Sequence, residues 1–341
     1  MRKGFVFGKF MPFHKGHEAM IRFALSHCDI VSVLVCCSNL ETLPAALRQS
    51  WVEATFRDEP RVKVILYQYD ERSLPNTSET SASVSAVWAA QFKLLFPDHN
   101  IVVTSEPYGE LVAHYMGITH IPFDMQKSQY PVSATKIRAN LPATWAYLPE
   151  RVKAFLITKV VLLGTESTGK TTLAGRLAAH FNCGAVMEAG RDIVEDSNNF
   201  GINDLYLIAN EHARRIDQQS IGDSPLLIID TDIYITLSYG EYAFGTVLDI
   251  TPSILQSNKA DLYLYLNNDA PYVQDGTRLA KEERDLLDLS HRRILEKYGI
   301  TYAEVKGDWD ERFEQAVTLI EQLMQHRLEN WLSFAGRLQK V

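Results

Sequence analysis

At 341 residues, 46% apolar and 22% charged, the chain is long for one ordinary core and has the balance of a soluble globular protein. Its formal net charge of -8 argues against nucleic acid and anionic membrane as main partners, because both reward a basic face. The four cysteines (Cys28, Cys36, Cys37 and Cys183) form no C-x-x-C pair and read as buried free thiols. With no long apolar run and no room for a leader before the first predicted strand, the expected location is the cytoplasm.

In chain order, β-rich runs at 4–7, 29–36, 62–67, 101–104 and 119–123 alternate with amphipathic segments at 16–26, 45–57, 84–95 and 106–115. A further helix is expected after Val132-Ser133-Ala134-Thr135. This alternation predicts a parallel sheet with helices on both faces, whose ligands bind beyond the carboxyl ends of the strands. Asn76 to Ser81 reads as a polar loop after the third strand. Pro142 to Pro149 interrupts the pattern. A second alternation follows, with strands at 160–163, 185–188, 226–230, 261–266 and 302–305 and helices at 170–181, 204–221, 232–242 and 281–298. The expected fold is α/β, with two doubly wound parallel-sheet domains over 1–150 and 157–341. Near the end, Trp309, Phe313, Val317, Ile320, Met324, Leu328 and Trp331 recur every three or four residues. They predict one long amphipathic helix, packed on its own domain or, in a homo-oligomer, on a second copy.

The first predicted strand runs into Gly8-Lys9-Phe10-Met11-Pro12-Phe13-His14-Lys15-Gly16-His17. His14 and His17 are three apart, so one helical turn sets both on the same side. Gly16 between them lets a phosphate approach backbone N–H groups. Imidazole donors at a helix N-terminus suit negative charge that gathers on a triphosphate during displacement. The companion is Val132-Ser133-Ala134-Thr135-Lys136-Ile137-Arg138, in which Ser133 is a natural N-cap and Lys136 and Arg138 fall in the first turns behind it.

The first strand of the second alternation runs into Gly164-Thr165-Glu166-Ser167-Thr168-Gly169-Lys170-Thr171, a G-x-x-x-x-G-K-[ST] loop that opens a helix. Its glycines allow successive N–H groups to point inward as an anion nest. Lys170 can reach the β- and γ-phosphates, and the Thr171 hydroxyl can hold Mg²⁺. Leu226-Leu227-Ile228-Ile229-Asp230 is a buried strand ending in an acid, which supplies a carboxylate near that metal. Asp232, two residues on, reads either as a helix N-cap or as a substrate contact. Glu188 suits a base near a nucleoside 5′-hydroxyl, or pairs with Arg191 as a surface ion pair. Asp275-Gly276-Thr277-Arg278-Leu279-Ala280-Lys281 combines a glycine hinge with cations and would suit a lid over phosphates.

The first motif together with Val132–Arg138 resembles the nucleotidyltransferase superfamily with its HxGH and [IV]-S-x-[TS]-x-[IVL]-R motifs. Followed by the Gly164–Thr171 loop, it is similar to the NadR-type bifunctional proteins over nearly the whole chain. The resemblance implies a Rossmann-like nicotinamide mononucleotide adenylyltransferase followed by a P-loop ribosylnicotinamide kinase. It implies that His14, His17, Lys9 and Arg138 act on ATP phosphates, with nucleotide contacts at Gly8, Phe10, Gly16, Ser133 and Thr135. In the second half it implies nucleotide contacts at Gly164, Glu166, Ser167, Thr168, Gly169, Lys170, Thr171, Thr172 and Arg278, and metal roles for Thr171 and Asp230. Trp88 is either a stacking partner for nicotinamide or a buried helix residue, and Arg191 is a candidate substrate contact. Some members carry an N-terminal helix-turn-helix; here three residues precede the first predicted strand, so a repressor role is not expected.

The expected chemistry is phosphorylation of nicotinamide riboside by ATP, followed by adenylyl transfer from a second ATP to the mononucleotide, giving NAD and pyrophosphate. Two other readings stand beside it. One is another nucleotidyltransferase–kinase fusion, acting on riboflavin or pantetheine derivatives. The other is a nucleotide sensor that binds at both sites without turnover.

Overall fold

A computed structural model describes residues 1–41, 43–76, 80–194, 200–269 and 281–336, with the side chains of 281 and 328–336 excepted. The lid segment with Arg278 and part of the polar loop after the third strand therefore lie outside the described residues. Contacts divide the chain into two compact units, one of residues 1–155 with 328–341, the other Leu156–Arg327.

The first unit holds a five-stranded sheet of β1 (Lys3–Gly8), β2 (Ile30–Ser38), β3 (Val62–Tyr69), β4 (Ile101–Thr104) and β5 (Thr119–Pro122), in the order β3-β2-β1-β4-β5. Every pairing is parallel, so each connection must cross over, and helices Lys15–His27, Ala45–Thr55, Ala82–Leu95 and Tyr108–Met116 do so. The β-branched run of β2 is buried on both faces, as a central parallel strand requires. Phe5, Leu34, Phe92, Phe96 and Val102 form the core over one face. Each such side chain contributes about 1.5–3 kcal/mol by leaving water. The order reverses between β1 and β4, and the residues after β1 stand at that switch point. The expected helix after Val132 is short, Ala134–Ala139, and the proline-flanked stretch after it folds as Leu141–Thr144 and a turn at Trp145–Tyr147.

The second unit repeats the plan with β6 (Thr158–Leu163), β7 (Gly184–Val186), β8 (Leu226–Asp230), β9 (Leu262–Leu266) and β10 (Ala303–Val305), in the order β10-β9-β6-β8-β7. All pairings are again parallel. The strand expected at 185–188 ends at Val186, because β7 is an edge strand with a three-residue register on β8. The chain then turns into a short helix, Gly190–Ile193, which leaves Glu188 in the connecting loop. The last helix runs Trp309–Gly336, and Phe313, Val317, Ile320 and Met324 pack on the second unit's core with Leu162, Leu173 and Leu264. The side chains of Leu328 and Trp331 lie outside the described residues. Cys28, Cys36 and Cys37 are buried and Cys183 is half-buried, all as free thiols. Among the described residues no helix is long and apolar enough to cross a membrane.

Candidate functional site

In the first unit, β1 delivers the chain to a turn that is itself buried. Phe10, 1% exposed, takes φ +49°, a left-handed conformation unusual for a bulky residue. Its ring stands edge-on to His17 at 4.9 Å, while Phe13 stacks on the other side at 5.9 Å. Phe10 thus backs the second imidazole. The Phe10 ring also lies where a side chain at Gly8 would press, 3.3 Å from that Cβ position.

His14 is the N-cap of the Lys15–His27 helix: the His17 backbone N–H donates to His14 Nδ1 at 3.3 Å. That bond leaves the His14 proton on Nε2. The two rings stack with centroids 3.6 Å apart. A Cβ at Gly16 would stand 3.1 Å from His14 Cε1 and Nδ1, so a side chain there would displace the capping ring. Burial, then the Lys127 ammonium, holds His14 at about 3. Burial, then His14, then Lys127, holds His17 well below its ordinary value. Both imidazoles are neutral at pH 7. His17 Nδ1 is buried without a hydrogen-bond partner among the described residues.

Arg138 comes in from the Ala134–Ala139 helix. It donates to the Met11 carbonyl and, at 3.3 Å, to Thr135 Oγ1, while Ser133 caps that helix through Lys136 N–H at 3.2 Å. The structure therefore brings Arg138 onto the turn of His14, across 127 residues of sequence. Lys9 points elsewhere. Its Nζ lies 3.0 Å from Glu41 Oε1 and 4.0 Å from Glu71. Glu41 in turn pairs with Arg48 at 2.6 Å, and Arg48, 1% exposed, donates to the Lys9 carbonyl at 3.0 Å. The buried Glu41–Arg48 pair that holds Lys9 escaped sequence reasoning, since nothing local marks either residue. Trp88 packs half-buried on the core beside Tyr69 and Phe92, and its Nε1 donates to the Pro75 carbonyl at 3.0 Å.

In the second unit, the loop after β6 needs left-handed backbone at Gly164 (φ +136°) and Gly169 (φ +87°). A Cβ at Gly164 would come within 2.7 Å of the Leu266 carbonyl, and one at Gly169 within 2.0 Å of the Trp309 ring. Lys170 Nζ donates to the Gly164 and Thr165 carbonyls at 2.9 and 2.8 Å, folded back over its own loop. Thr168 is 1% exposed and braces the loop by donating to the Thr165 carbonyl at 2.8 Å. Thr171 Oγ1 donates to Asp230 Oδ2 at 2.5 Å, with Asp230 fully buried at the end of β8. A hydroxyl and a carboxylate meeting beside a phosphate loop fit a Mg²⁺ ion.

Gly164, Gly169, Lys170 and Thr171 line a cavity of about 670 Å³ with Glu166, Ser167, Thr172, Glu188, Arg191, His212, Asp232 and Tyr239. Asp232 is the N-cap of helix Ile233–Phe244: its Oδ1 accepts from Tyr234 and Ile235 N–H at 2.9 and 3.3 Å. The capping and contact readings are compatible, because Oδ2 is buried without a partner among the described residues. Burial pushes this carboxyl up to about 7 against the two backbone donors. Glu188 meets Arg191 at 3.4 Å, a loose pair in which Arg191 is mostly exposed.

Four contributors had no sequence signal strong enough to find them. Arg312, 1% exposed, donates to the carbonyls of Thr168 (2.7 Å), Gly307 (2.9 Å) and Asn267 (3.0 Å) and pairs with Asp269. Tyr239 donates to Glu166 Oε1 at 3.3 Å. His212 binds the Thr231 carbonyl at 3.0 Å. His291, fully buried, meets Ser238 Oγ at 2.8 Å, and burial, then Lys170, holds it at about 3.

Comparison with known proteins returns the same two-part plan. A family model described as an AAA domain matches residues 159–312. The trifunctional NAD biosynthesis/regulator protein NadR of Escherichia coli (strain K12) is 28% identical over 348 residues, covering 94% of this chain and 83% of that protein. The protein of the same description from Salmonella typhimurium (strain LT2) matches at the same identity and coverage. Among solved structures, NadR protein in complex with NR superposes with a TM-score of 0.65 at 20% identity, covering 94% of this chain and 96% of that one. NadR protein in complex with NAD and AMP-PNP gives 0.63 at the same identity and coverage. The solved structures bear on the fold and the curated relatives on the sequence: with two parallel five-stranded sheets and a P-loop in the second unit, the chain is similar to NadR along 94% of its length.

Proposed function

We propose that the chain is a bifunctional enzyme of NAD biosynthesis, with riboside phosphorylation in the second unit and adenylyl transfer in the first. The observation that carries this reading is a pair of turns, one after the central strand of each sheet, with stacked imidazoles at the first and a glycine loop closed by a lysine at the second. In the second unit, the 5′-hydroxyl oxygen of nicotinamide riboside attacks the γ-phosphorus of ATP. The bond to the β–γ bridging oxygen breaks and ADP leaves. Glu188 or Asp232 accepts the hydroxyl proton, and Lys170 neutralises charge on the transferred group. Thr171 and Asp230 would hold Mg²⁺, which when bound offsets charge on the β- and γ-oxygens.

In the first unit, a phosphate oxygen of nicotinamide mononucleotide attacks the α-phosphorus of a second ATP, and pyrophosphate leaves. No proton need move at the attacking oxygen. Positioning and charge stabilisation then supply the rate, through neutral imidazole N–H groups of His14 and His17 and the guanidinium of Arg138. The product of the second unit is the substrate of the first, and the NadR relatives, described as NAD biosynthesis proteins, support this pairing.

The test is product analysis by mass spectrometry with ATP, Mg²⁺ and a panel of ribosides and mononucleotides. The mononucleotide and ADP from nicotinamide riboside, then NAD and pyrophosphate, are expected. Turnover confined to riboflavin or pantetheine derivatives, or binding without any product, would sink the reading.

A further inference from the structure

Glu166 is out of place on electrostatic grounds. It sits inside a loop whose glycines and lysine gather positive potential for phosphates, yet a carboxylate only accepts hydrogen bonds and repels a triphosphate. The Lys170 ammonium donates instead to the Gly164 and Thr165 carbonyls. Among the described residues no lysine or arginine forms an ion pair with Glu166. Among the described residues Glu166 accepts from the Tyr239 hydroxyl, 3.3 Å from Oε1. Burial, then Glu166, then Glu188, keeps Tyr239 protonated by raising its phenol well above the ordinary value, so it remains a donor. Glu166 Oε2 is buried with no partner among the described residues. A buried, unpartnered carboxylate oxygen is costly, and a ligand that brings donors removes the cost.

The cavity beyond it is built for a ligand of that kind. Asp232, 1% exposed, and His212, 4% exposed, also line it, with Oδ2 and Nδ1 unpartnered among the described residues. Leu205, Ile208 and Phe200 provide an apolar wall. A riboside offers an aromatic base to that wall and a vicinal pair of hydroxyl donors to a carboxylate.

We propose that Glu166 receives the 2′- or 3′-hydroxyl of the riboside that accepts the phosphoryl group, so that the phosphate loop itself selects ribose over deoxyribose. This rests on the reading of the second unit as a riboside kinase. Tyr239 is the positioning residue that fixes the carboxylate.

The experiment is steady-state kinetics of mononucleotide formation by the full chain on nicotinamide riboside and its 2′-deoxy and 3′-deoxy analogues, for wild type, Glu166→Gln and Tyr239→Phe. Loss of one charge-assisted hydrogen bond predicts that wild type disfavours at least one deoxy analogue by about tenfold or more in kcat/KM. Glu166→Gln should lose about tenfold on the riboside, mostly in KM, and far less on that analogue. Its KM for ATP and its affinity for AMP-PNP should stay within about twofold, which also reports a folded loop. Tyr239→Phe should shift selectivity the same way by a smaller factor. An equal loss on riboside and both deoxy analogues, or a rise in KM for ATP alone, overturns the assignment of Glu166. Wild-type protein that makes no mononucleotide from the riboside overturns the kinase reading beneath it.

Discussion

The two turns that we propose bind phosphates carry their donors in opposite ways. After β6 a full cation, Lys170, is kept in place by two carbonyls of its own loop. After β1 the stacked imidazoles are neutral, and the nearby lysine, Lys9, is drawn to Glu41. One site presents a fixed charge, the other oriented N–H dipoles. The lesson is that a triphosphate can be met by either device, and that the choice sets what each activity should be sensitive to. A fixed ammonium cannot be replaced by anything neutral. Buried imidazoles that stay unprotonated make the first site indifferent to pH near neutrality, whereas the second has a titrating carboxyl beside it.

The sharpest break between the two is by deletion of one donor at a time. Lys170→Ala should cut riboside phosphorylation by about a thousandfold and leave NAD formation from supplied mononucleotide intact. His17→Ala should cut NAD formation by about a hundredfold while the mononucleotide accumulates. Either substitution removing both activities in a folded protein would end the two-site account. A smaller effect separates loop architecture from loop chemistry. Arg312→Met removes donors to three carbonyls without emptying the space, so the second unit should lose about 2–4 kcal/mol in urea unfolding. An unchanged midpoint would mean that those carbonyls find water.

The mildest test is pH. Asp232 rises to about 7 by burial, and its proton-accepting form exists above that value. If Asp232 takes the hydroxyl proton, kcat/KM for the riboside should fall about tenfold per pH unit below 7 and level off above it, while adenylyl transfer stays flat from about pH 7 to 8, above the second pKa of about 6 of the attacking phosphate. Asp232→Asn should abolish the slope. A slope that survives the substitution would mean that Asp232 does not take the proton.

What could be read in advance follows the range of the interactions. The strands ahead of both turns, the histidine pair and the glycine loop are encoded within about ten residues of sequence, so pattern and spacing expose them; that His14 caps the helix came only with the structure. Glu188 was expected in a strand because Ala185-Val186-Met187 continues the apolar run, but an edge strand has one partner and ended at Val186. Arg312 lies among the polar positions of an amphipathic helix in sequence. Only the meeting of three separate loops makes it a buried tie. Glu41 with Arg48, and Glu166 with Tyr239, are hidden for the same reason: each residue is ordinary until its partner arrives from another element.

That tie also has a meaning in time. Thr168 and Arg312 are 144 positions apart. A ribosome therefore completes the nucleotide loop long before it synthesises the guanidinium that secures it. The emerging polypeptide holds an unlatched loop through most of the second unit's translation, and the loop can be latched only once the final helix has emerged.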